Sequence, residues 1–458
     1  MLKLTIFREY DIRGIADPSH PDFELTDPGV ELLGQALGTY LIRHAGARIN
    51  LGRDTRLSSP RLRDALIRGL KAAGCQVTDL GVVPTPVLYY SQFHLKADGA
   101  VMITGSHNPA EFNGFKTVCG SSTIHGDAIQ DLRRMMESGD LSLGEGSETT
   151  ADCVTPYVNE IAGQFHYPRR IKVVIDAGNG TGGPVMRRLL ERLNADAVEM
   201  YFEMDGRFPH HHPDPTVPRN LEALIAKVRE TGAELGIAFD GDTDRIGAVD
   251  ETGRVIYGDQ LMIVYAREIL SRKPGATFIG EVKCSQSMYD DLAARGGNPI
   301  MWKTGHSLIK AKMKETHAEL AGEMSGHMFF GDRYYGFDDA LYAACRLMEI
   351  VANSGRPLSH QLADLPKTVT TPEIRFDCPD ELKFDVVRGA AEALKGRYKT
   401  IDVDGVRAIF PHGWGLVRAS NTQPVLVMRF EAETPEQLEQ YRTEIENIVG
   451  AAKAAATR

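Results

Sequence analysis

Along most of the chain, short apolar runs take turns with stretches in which apolar residues recur every three to four positions. Runs of the strand type occur at residues 77–80, 100–103 and 171–175, whereas residues 32–43 and 127–137 have the spacing of amphipathic helices. Nearly continuous apolar strands that alternate with helices are typical of parallel or mixed sheets covered on both faces. The pattern therefore predicts an α/β protein.

The last part of the chain has a different pattern. From about residue 372 the strand-like runs predict a paired, antiparallel sheet that ends at residues 424–431. A helix is predicted to begin after Thr434, because Gln437 completes a capping box and Pro435 is tolerated in the first turn. Earlier in the chain, residues 139–149 are rich in Ser, Gly and acidic side chains, which indicates a linker.

Composition restricts the partners of the protein. There are 52 Lys and Arg against 62 Asp and Glu, and the resulting net charge of −10, without a basic stretch, argues against a nucleic acid partner. A small anionic substrate remains compatible, because it needs only a local group of Arg and Lys in a cleft. The length of 458 residues suggests roughly three domains rather than one core.

Cysteine usage and hydropathy predict a cytoplasmic protein. The six cysteines are scattered without a CxxC spacing, which predicts reduced thiols rather than disulfides or zinc ligands. The apolar run at the N-terminus is too short for a secretory signal, and no stretch of ~20 apolar residues predicts a membrane span. We therefore expect no membrane partner.

The most informative segment is Thr-Gly-Ser-His-Asn-Pro at 104–109, which follows the strand predicted at 100–103. Gly105 and the pair Asn108-Pro109 break the strand, so Ser106 lies on a sharp turn that presents its hydroxyl outward. A serine in this position can act as a phosphate carrier. The alternative is an ordinary polar surface turn.

A second predicted strand, at 236–239, leads into Asp-Gly-Asp-Thr-Asp-Arg at 240–245. Three alternating carboxylates after a strand can converge on one point, and such hard oxygen ligands suit Mg²⁺. An EF-hand is excluded, because its sixth position needs glycine and here is Arg245, and because both flanks read as strands. A purely structural acidic loop remains as an alternative, although clustered carboxylates usually need a cation.

These motifs, with three others, are those of a known family. The chain resembles the α-D-phosphohexomutases, and within them the bacterial phosphomannomutase/phosphoglucomutase group, from Tyr10 to about Arg429. The five motifs that carry the resemblance are Tyr-Asp-Ile-Arg-Gly at 10–14, Thr-Gly-Ser-His-Asn-Pro at 104–109, Asp-Gly-Asp-Xaa-Asp-Arg at 240–245, Gly-Glu-Met-Ser-Gly-His at 322–327 and Arg-Ala-Ser-Asn-Thr at 418–422.

The resemblance implies four domains around a central cleft. Three related α/β domains with mixed sheets would cover residues 1–151, 152–254 and 255–366, and a smaller α+β domain would cover residues 367–458. In this order they would carry the phosphoserine loop, the metal-binding loop, a sugar-specificity loop and a phosphate-binding loop.

The resemblance also implies roles for individual residues. Ser106 would carry the transferable phosphate and would join Asp240, Asp242 and Asp244 as a metal ligand. The other residues expected to take part in catalysis are Arg13, His107, Lys116, Arg245 and His327. The residues expected to bind the substrate are Tyr10, Lys283, Gly305, His306, Glu323, Ser325, His327, Arg418, Ser420, Asn421 and Thr422.

Elementary chemistry is consistent with these roles. Phosphoryl transfer needs positive charge around the transferred group, which Lys116, Arg245 and Mg²⁺ would supply. The Arg418 guanidinium, with hydroxyl and amide donors on the same turn, suits a non-reacting phosphate dianion. The alternatives are a solvated surface lysine at 116 and a polar hairpin tip at 418–422. Lys116 and His327 both remain candidates for the proton shuttle.

The implied reaction is reversible phosphoryl transfer between C1 and C6 of mannose or glucose phosphates. It would proceed through a phosphoserine enzyme and a hexose 1,6-bisphosphate, with Mg²⁺ as cofactor and glucose 1,6-bisphosphate as the activator that restores a lost phosphate. Glu323 and Ser325 would bond the 3- and 4-hydroxyls, which glucose and mannose share.

Two other functions fit the same motifs. A phosphoglucosamine mutase would perform this chemistry on an amino sugar, but Met324 favours the mannose/glucose group, because glutamine is usual there in the glucosamine branch. A catalytically silent protein that binds phosphosugars or metal is the second. The sequence decides neither the preferred sugar nor the oligomeric state, and a monomer is compatible with it.

One residue departs from the family pattern. Between the second and third aspartates of the metal loop the family commonly has glycine, and this chain has Thr243. If the position requires a positive φ, a β-branched residue is expected to be strained there.

Overall fold

The strands of the computed structural model, which describes residues 2–421 and 423–457, form four sheets that follow one another along the chain. The strands of the first sheet are β1 (Ile12–Ile15), β2 (Arg48–Arg53), β3 (Gln76–Val82), β4 (Gly99–Ile103), β5 (Phe112–Cys119), β6 (Ser122–Thr123) and β7 (Ser147–Thr150). Its helices are α1 (Asp27–His44), α2 (Ser59–Ala72), α3 (Thr85–Leu95) and α4 (Asp127–Ser138). The strand order in the sheet is β1-β5-β4-β2-β3-β7, with β6 paired to β5.

The linker predicted at 139–149 is wrong at its end. There β7 begins, and it pairs in parallel with β3 at the edge of the first sheet. All four residues of β7 are exposed. Its pairing therefore depends on backbone hydrogen bonds, which leave no apolar pattern in the sequence.

The second and third sheets continue the alternation of strands and helices. The second part of the chain contains α5 (Val154–Gln164), β8 (Ile171–Asp176), α6 (Gly182–Leu190), β9 (Ala195–Met200), α7 (Glu222–Thr231), β10 (Leu235–Phe239), β11 (Ile246–Asp250) and β12 (Val255–Ile256). The third contains α8 (Gly258–Arg272), β13 (Thr277–Glu281), α9 (Gln286–Ala294), β14 (Asn298–Trp302), α10 (His306–Thr316), β15 (Leu320–Gly322), β16 (Met328–Phe330) and α11 (Ala340–Ser354).

The first three sheets share one arrangement. Three parallel strands and one antiparallel strand lie in the orders β3-β2-β4-β5, β9-β8-β10-β11 and β14-β13-β15-β16. In each, the loop between the last parallel strand and the antiparallel strand carries one of the sequence motifs, at 104–109, 240–245 and 323–327. The prediction of three related α/β units with mixed sheets is confirmed, and their shared topology places the three loops at equivalent positions.

The fourth sheet is antiparallel, as predicted. Its elements are β17 (Val369–Thr370), β18 (Ile374–Asp377), α12 (Lys383–Lys395), β19 (Lys399–Ile401), β20 (Val406–Phe410), β21 (Gly413–Ala419), β22 (Val425–Ala432) and α13 (Pro435–Ala456). The sheet order is β17-β22-β21-β20-β19, with β18 on β22. The predicted capping box is present, since the Thr434 side chain accepts a hydrogen bond from the Gln437 amide.

The cores show how the parts are joined. One apolar core runs without interruption from α3 of the first part through the second and third sheets. The fourth sheet has a separate core, and it meets the third through a small cluster of Val282, Trp414 and Leu416. The fourth part is therefore attached to the rest by much less apolar contact than the first three share.

The cysteines and the helices of the described residues can each be characterised as a set. Within the described residues all six cysteines are free thiols, and five of them are buried. Among the helices that the structure describes, none has both the length and the apolar character needed to cross a membrane.

Candidate active site

The serine loop follows β4, whose five residues are all buried in the middle of the first sheet. Ser106 has a φ of +49°, in the left-handed region that non-glycine residues seldom adopt. The hydroxyl of Thr104 accepts a hydrogen bond from the Ser106 amide at 2.8 Å and supports this turn. The Ser106 hydroxyl donates to Asp240 Oδ2 at 2.8 Å and lies 3.1 Å from His107 Nδ1. The turn thus directs the serine toward the metal loop.

The serine loop is also held by a buried arginine, Arg56, which the sequence analysis did not identify. The Arg56 guanidinium donates to the backbone carbonyls of Ser106 and Asn108, at 2.9 and 2.6 Å, and to those of Pro109 and Phe112. Its Nε donates to Asp54 at 3.1 Å. The same Asp54 accepts a hydrogen bond from the Gly105 amide at 3.0 Å. Arg56 and Asp54 therefore fix the loop conformation that presents Ser106.

The metal loop joins β10 to β11, and its three aspartates are completely buried. Their carboxylate oxygens lie within 4.8 Å of one another. The loop is folded around Asp240, whose Oδ1 accepts hydrogen bonds from the amides of Asp244 and Arg245 at 3.1 and 3.2 Å. The Thr85 hydroxyl at the start of α3 donates to Asp242 at 2.6 Å, so the first and second sheets meet at this loop.

Lys116 on β5 neutralises part of this negative charge. Its Nζ lies 2.7 Å from Asp242 and 2.5 Å from Asp244. Burial alone would lower the pKa of Lys116, but the three carboxylates outweigh burial and raise it above its usual value. Burial and the neighbouring carboxylates raise the pKa of Asp240 well above its ordinary value. Lys116 therefore keeps its proton in this arrangement.

The donor set fits a hard divalent cation. Oδ1 of Asp242 and Oδ1 of Asp244 are buried and accept no hydrogen bond from any described residue. The three carboxylates and the nearby Ser106 hydroxyl are all oxygen donors, which Mg²⁺ prefers over nitrogen or sulfur. Two free oxygens within a converging carboxylate cluster are what a metal ligand set requires.

Thr243 has the left-handed conformation that makes its departure from the family pattern costly. Its φ is +66°, and it is completely buried. Its hydroxyl lies 3.1 Å from that of Thr181. A side chain at Gly182 would approach the Thr243 side chain to 2.8 Å. Gly182 therefore leaves the space that the β-branched side chain of Thr243 needs, and the Thr181 hydroxyl is its hydrogen-bond partner.

The sugar loop joins β15 to β16 and contacts the metal loop. Arg245 Nε donates to His327 Nε2 at 3.0 Å, and the two residues also form a backbone bridge. Glu323 is buried, and its carboxylate accepts a hydrogen bond from the Gly305 amide at 2.7 Å. Burial raises the pKa of Glu323 above its usual value. Ser325 lies half-buried on the same loop.

The rings of His327, His306 and Tyr10 follow one another between the sugar loop and the fourth sheet. His306 lies 5.7 Å from His327 and 6.4 Å from Tyr10, measured between ring centroids. Burial and the nearby Lys310 lower the pKa of His306 well below its usual value. A Cβ at Gly305 would lie 2.7 Å from the Tyr10 ring, so glycine is needed for this approach.

The phosphate loop follows β21 and reaches the other sheets through Tyr10. Arg418 Nε donates to Asp404 at 2.8 Å, and the Thr304 amide donates to the same carboxylate at 3.1 Å. The Tyr10 hydroxyl donates to the Thr304 carbonyl at 2.8 Å, and the Asn421 side chain donates to that hydroxyl. Thr422, also predicted to bind substrate, lies outside the described residues.

The remaining predicted residues lie on the walls between these loops. Arg13 on β1 donates to the Asn108 side chain of the serine loop at 2.8 Å. Burial, with Arg245 and Arg13 nearby, lowers the pKa of His107 well below its usual value. Lys283 lies 3.2 Å from Glu373 and 3.6 Å from Glu281. Ser420 is buried, and its carbonyl accepts a hydrogen bond from Lys383 at 2.6 Å.

The structure thus brings the predicted residues together in two groups. The members of the first group are linked by contacts around the serine and metal loops. They are Ser106, His107, Lys116, the three aspartates, Arg245 and His327. Tyr10, Gly305, His306 and Glu323 link this group to the phosphate loop through Asn421, while Lys283 and Ser325 make no direct contact with Ser106 in the described residues. Sequence reasoning missed Asp54, Arg56 and Asp338. The one feature in the sequence that could have identified them is a charged side chain at the end of a strand or before a helix.

Comparison with known proteins gives matches over nearly the whole chain. Four profiles of one family match consecutive segments. They are described as phosphoglucomutase/phosphomannomutase alpha/beta/alpha domain I at residues 4–142, domain II at 155–253, domain III at 257–369 and C-terminal domain at 373–448.

Individual relatives agree with the profiles. The phosphomannomutase/phosphoglucomutase of Pseudomonas aeruginosa is 46% identical over 447 residues, covering 97% of this chain and 96% of the relative. The phosphoglucomutase of Neisseria meningitidis serogroup A is 42% identical over 450 residues, covering 97% and 96%. A crystal structure of a phosphoglucomutase/phosphomannomutase family protein from Burkholderia thailandensis superposes with a TM-score of 0.92 at 41% identity, covering 99% of this chain and 98% of that one.

Proposed function

The chain belongs to the phosphoglucomutase/phosphomannomutase family, and on this premise we propose how its cleft works. The protein is an isomerase that moves a phosphoryl group reversibly between C1 and C6 of hexose phosphates, with mannose and glucose phosphates as substrates. The observation that carries the proposal is the position of Ser106, which donates to Asp240 at the edge of a buried carboxylate cluster.

Ser106 carries the phosphoryl group. In the first step the bond between phosphorus and Ser106 Oγ breaks, and a bond forms between phosphorus and the free C6 or C1 hydroxyl of the substrate. The product is a hexose 1,6-bisphosphate. In the second step the other phosphate returns to Ser106, which regenerates the phosphoenzyme and releases the isomer. Glucose 1,6-bisphosphate primes an enzyme that has lost its phosphate.

Asp240, Asp242, Asp244 and the Ser106 oxygen would hold Mg²⁺. A bound magnesium ion supplies positive charge to the oxygens of the transferred group. Lys116 and Arg245 supply further positive charge from two directions, and Arg13 holds the serine loop through Asn108. The carboxylates in turn keep both cations close to the reacting atoms.

His327 moves the proton. Lys116 is paired with two carboxylates that raise its pKa, so it is a poor base. His327 Nε2 accepts a hydrogen bond from Arg245 and therefore has a lone pair. Arg245 leaves His327 Nε2 when it turns to the transferred phosphoryl group, which frees the lone pair. When the substrate hydroxyl attacks phosphorus, its proton passes to His327 Nε2, and it returns in the reverse transfer. His107 keeps its neutral ring beside the serine oxygen and assists its orientation.

The substrate spans the two ends of the cleft. The non-reacting phosphate binds Arg418, Ser420, Asn421 and Thr422, with Lys283 and His306 beside it. Glu323 and Ser325 bind the 3- and 4-hydroxyls, and Tyr10 and Gly305 form the wall between them. Because one end binds phosphate and the other end transfers it, the bisphosphate has to turn end for end between the two steps.

Several further statements belong to the proposal. We divide the chain into domains at 1–151, 152–256, 257–366 and 367–458. The boundary predicted at 254 moves by two residues, because β12 pairs with β11 of the second sheet. The protein works in the cytoplasm, where its sugar phosphate substrates are found and its cysteines stay reduced. Each loop of the cleft comes from the same chain, so catalysis would need no second subunit, and a monomer is compatible with the proposal.

A coupled assay with three 1-phosphates tests the function. We expect turnover with glucose 1-phosphate and mannose 1-phosphate and much less with glucosamine 1-phosphate. Ser106→Ala should lower kcat by at least about three orders of magnitude, while Ser138→Ala on an exposed helix end should leave it unchanged. Preference for glucosamine 1-phosphate would establish the alternative mutase, and near-normal activity of Ser106→Ala would refute the carrier.

A further inference from the structure

Next to His327 Nδ1 lies a buried carboxylate that no sequence motif includes. Asp338 is completely buried one residue before the N-cap of α11. Its Oδ2 lies 3.0 Å from His327 Nδ1. We propose that Asp338 is a positioning residue, which holds the His327 ring with its proton on Nδ1 and the lone pair on Nε2, the nitrogen that faces Arg245. The proposal deepens the proposed function and rests on His327 as the proton acceptor.

The tautomer follows from the partner on the cleft side. Arg245 Nε lies 3.0 Å from His327 Nε2, and a guanidinium nitrogen can only donate. His327 Nε2 therefore has to accept, so it has no proton. A neutral imidazole has one N–H, which must then be on Nδ1, the nitrogen that faces Asp338.

Asp338 is the partner that this N–H requires. His327 Nδ1 and Asp338 Oδ2 are both buried, and neither makes a hydrogen bond to any described residue. The two atoms are at hydrogen-bond distance, but the orientation of the ring does not meet the geometry of a hydrogen bond. A rotation of the ring would join these two atoms, each of which is costly to leave buried without a partner.

Asp338 is held in place through its side chain, its backbone and the residue that follows it. Its other oxygen, Oδ1, accepts a hydrogen bond from Lys310 Nζ at 3.3 Å. Its backbone forms a bridge with Phe329, two residues after His327. The following residue, Asp339, caps α11 by accepting from the Tyr342 amide at 2.9 Å. Because Asp338 is itself held in one position, it can hold the imidazole ring of His327 in one orientation.

Two other interpretations of this cluster are weaker. Asp244 Oδ1 is also near His327 Nδ1, but at 3.6 Å, and Asp244 is already paired with Lys116 at 2.5 Å. A second cation held by Asp244, His327 and Asp338 would take the Nδ1 lone pair and leave the proton on Nε2. The Arg245 donor at Nε2 excludes that arrangement, and Lys310 already balances the charge of Asp338.

The test compares Asp338→Asn with Asp250→Asn, a buried turn aspartate on β11 with no contact to His327. The side-chain amide that Asp338→Asn introduces can donate to Nδ1 and favour the opposite tautomer, as an Asp→Asn change behind a catalytic histidine does elsewhere. We expect Asp338→Asn to lower kcat by about 10²- to 10⁴-fold. The KM for glucose 1-phosphate should change by less than about threefold, because Asp338 does not touch the substrate. Asp250→Asn should leave kcat near the wild-type value.

Nitrogen-15 spectra of the histidine-labelled, full-length wild-type enzyme provide a second measurement that does not depend on the stability of a variant. Two-bond correlations distinguish the Nδ1–H from the Nε2–H tautomer, and loss of the signal in His327→Gln identifies the residue. An Nδ1–H tautomer for His327 is expected. An Nε2–H tautomer, or wild-type kcat in a folded Asp338→Asn, would overturn the inference. Full activity of His327→Gln would refute the role of His327 in the proposed function, and the tautomer would still decide whether Asp338 orients the ring.

Discussion

The serine loop and the phosphate loop are held in different ways. Below the serine loop, the buried Arg56 guanidinium bonds four backbone carbonyls of the loop, and Asp54 fixes the guanidinium. The phosphate loop is anchored to its own domain by Lys383, and it reaches the first sheet through the hydrogen bond from Asn421 to Tyr10. One loop is fixed by many bonds inside a buried network. In the part of the other loop that the structure describes, the Asn421 side chain meets the opposite wall of the cleft at Tyr10.

This difference matches the tasks of the two ends. Stabilising a transferred phosphoryl group requires charges that are already in place at the moment of reaction. Releasing and turning a bisphosphate requires a contact that opens and closes with each cycle. The small apolar cluster between the third and fourth sheets is compatible with such movement. We therefore expect changes at the fixed end to lower kcat, and changes at the other end to raise KM.

Of the four variants that compare the two ends, Asp242→Asn in the metal loop of the fixed end is expected to have the largest effect. Asp242→Asn removes one carboxylate charge from the cation site, so kcat should fall at least about 100-fold with little change in KM. Titration of the variant with Mn²⁺ should show weaker metal binding. Asp196→Asn on the exposed strand β9 is the control. Activity that survives exhaustive chelation would show that these aspartates do not hold a required metal.

A smaller loss of activity, with a large loss of stability, is expected for Arg56→Met. The change leaves Asp54 buried without its cation and takes a donor away from four backbone carbonyls, which should cost about 3–5 kcal/mol. Hydrogen exchange of residues 104–109 should increase, and kcat should fall more than KM changes. In the control Arg68→Met, an exposed pair with Glu31 is lost, at a cost of about 1 kcal/mol or less. Unchanged exchange in the serine loop would show that the clamp is not needed.

At the other end, Tyr10→Phe removes the hydroxyl that joins Thr304 to Asn421. Two hydrogen bonds of about 1 kcal/mol each are lost, so KM for glucose 1-phosphate should rise about 5- to 30-fold while kcat changes less. Substrate should protect the turn around Ser420 from hydrogen exchange in the wild type and protect it less in Tyr10→Phe. Tyr398→Phe, which loses a bond to Glu444 within the fourth domain, is the control. Exchange that stays unchanged on saturation with substrate would contradict a closing fourth domain.

The smallest effect is expected for the choice between epimers. Glu323 would contact hydroxyls that glucose and mannose share, so wild-type discrimination should be about 1–2 kcal/mol. Glu323→Ala should lower kcat/KM for glucose 1-phosphate and mannose 1-phosphate to similar degrees. A wild-type preference of many thousandfold, or a variant impaired with one epimer alone, would show that another residue reads C2.

The sequence predicted the parts of the site that are contiguous. Ser106 and the three aspartates each follow a buried strand within one short motif, so local pattern and chemistry were enough to identify them. Some helices and central strands, among them α1, α4, β3, β4, β8 and β10, were likewise predicted, because their apolar spacing is strong. The edge strand β7 was not, since its exposed residues carry no such spacing.

Contacts between distant parts of the chain could not be predicted in this way. Arg56 reaches Ser106 across 50 positions of sequence, and its role depends on backbone carbonyls that any residue would supply. Asp338 becomes significant because β16 and the turn before α11 bring it against His327. For Thr243 the sequence predicted strain only if the position has a positive φ, and it could not show whether it does. The φ and the contacts with Thr181 and Gly182 that accommodate the side chain are set by the fold.

A single-turnover experiment tests the central claim most directly. Enzyme phosphorylated with labelled glucose 1,6-bisphosphate is freed of ligand, mixed with an equal amount of unlabelled glucose 6-phosphate and quenched at short times. We predict that the label leaves the peptide containing Ser106 and appears in hexose 1,6-bisphosphate at a rate at least equal to kcat. Label that never enters that peptide, or that remains there while glucose 1-phosphate forms, would contradict Ser106 as the carrier.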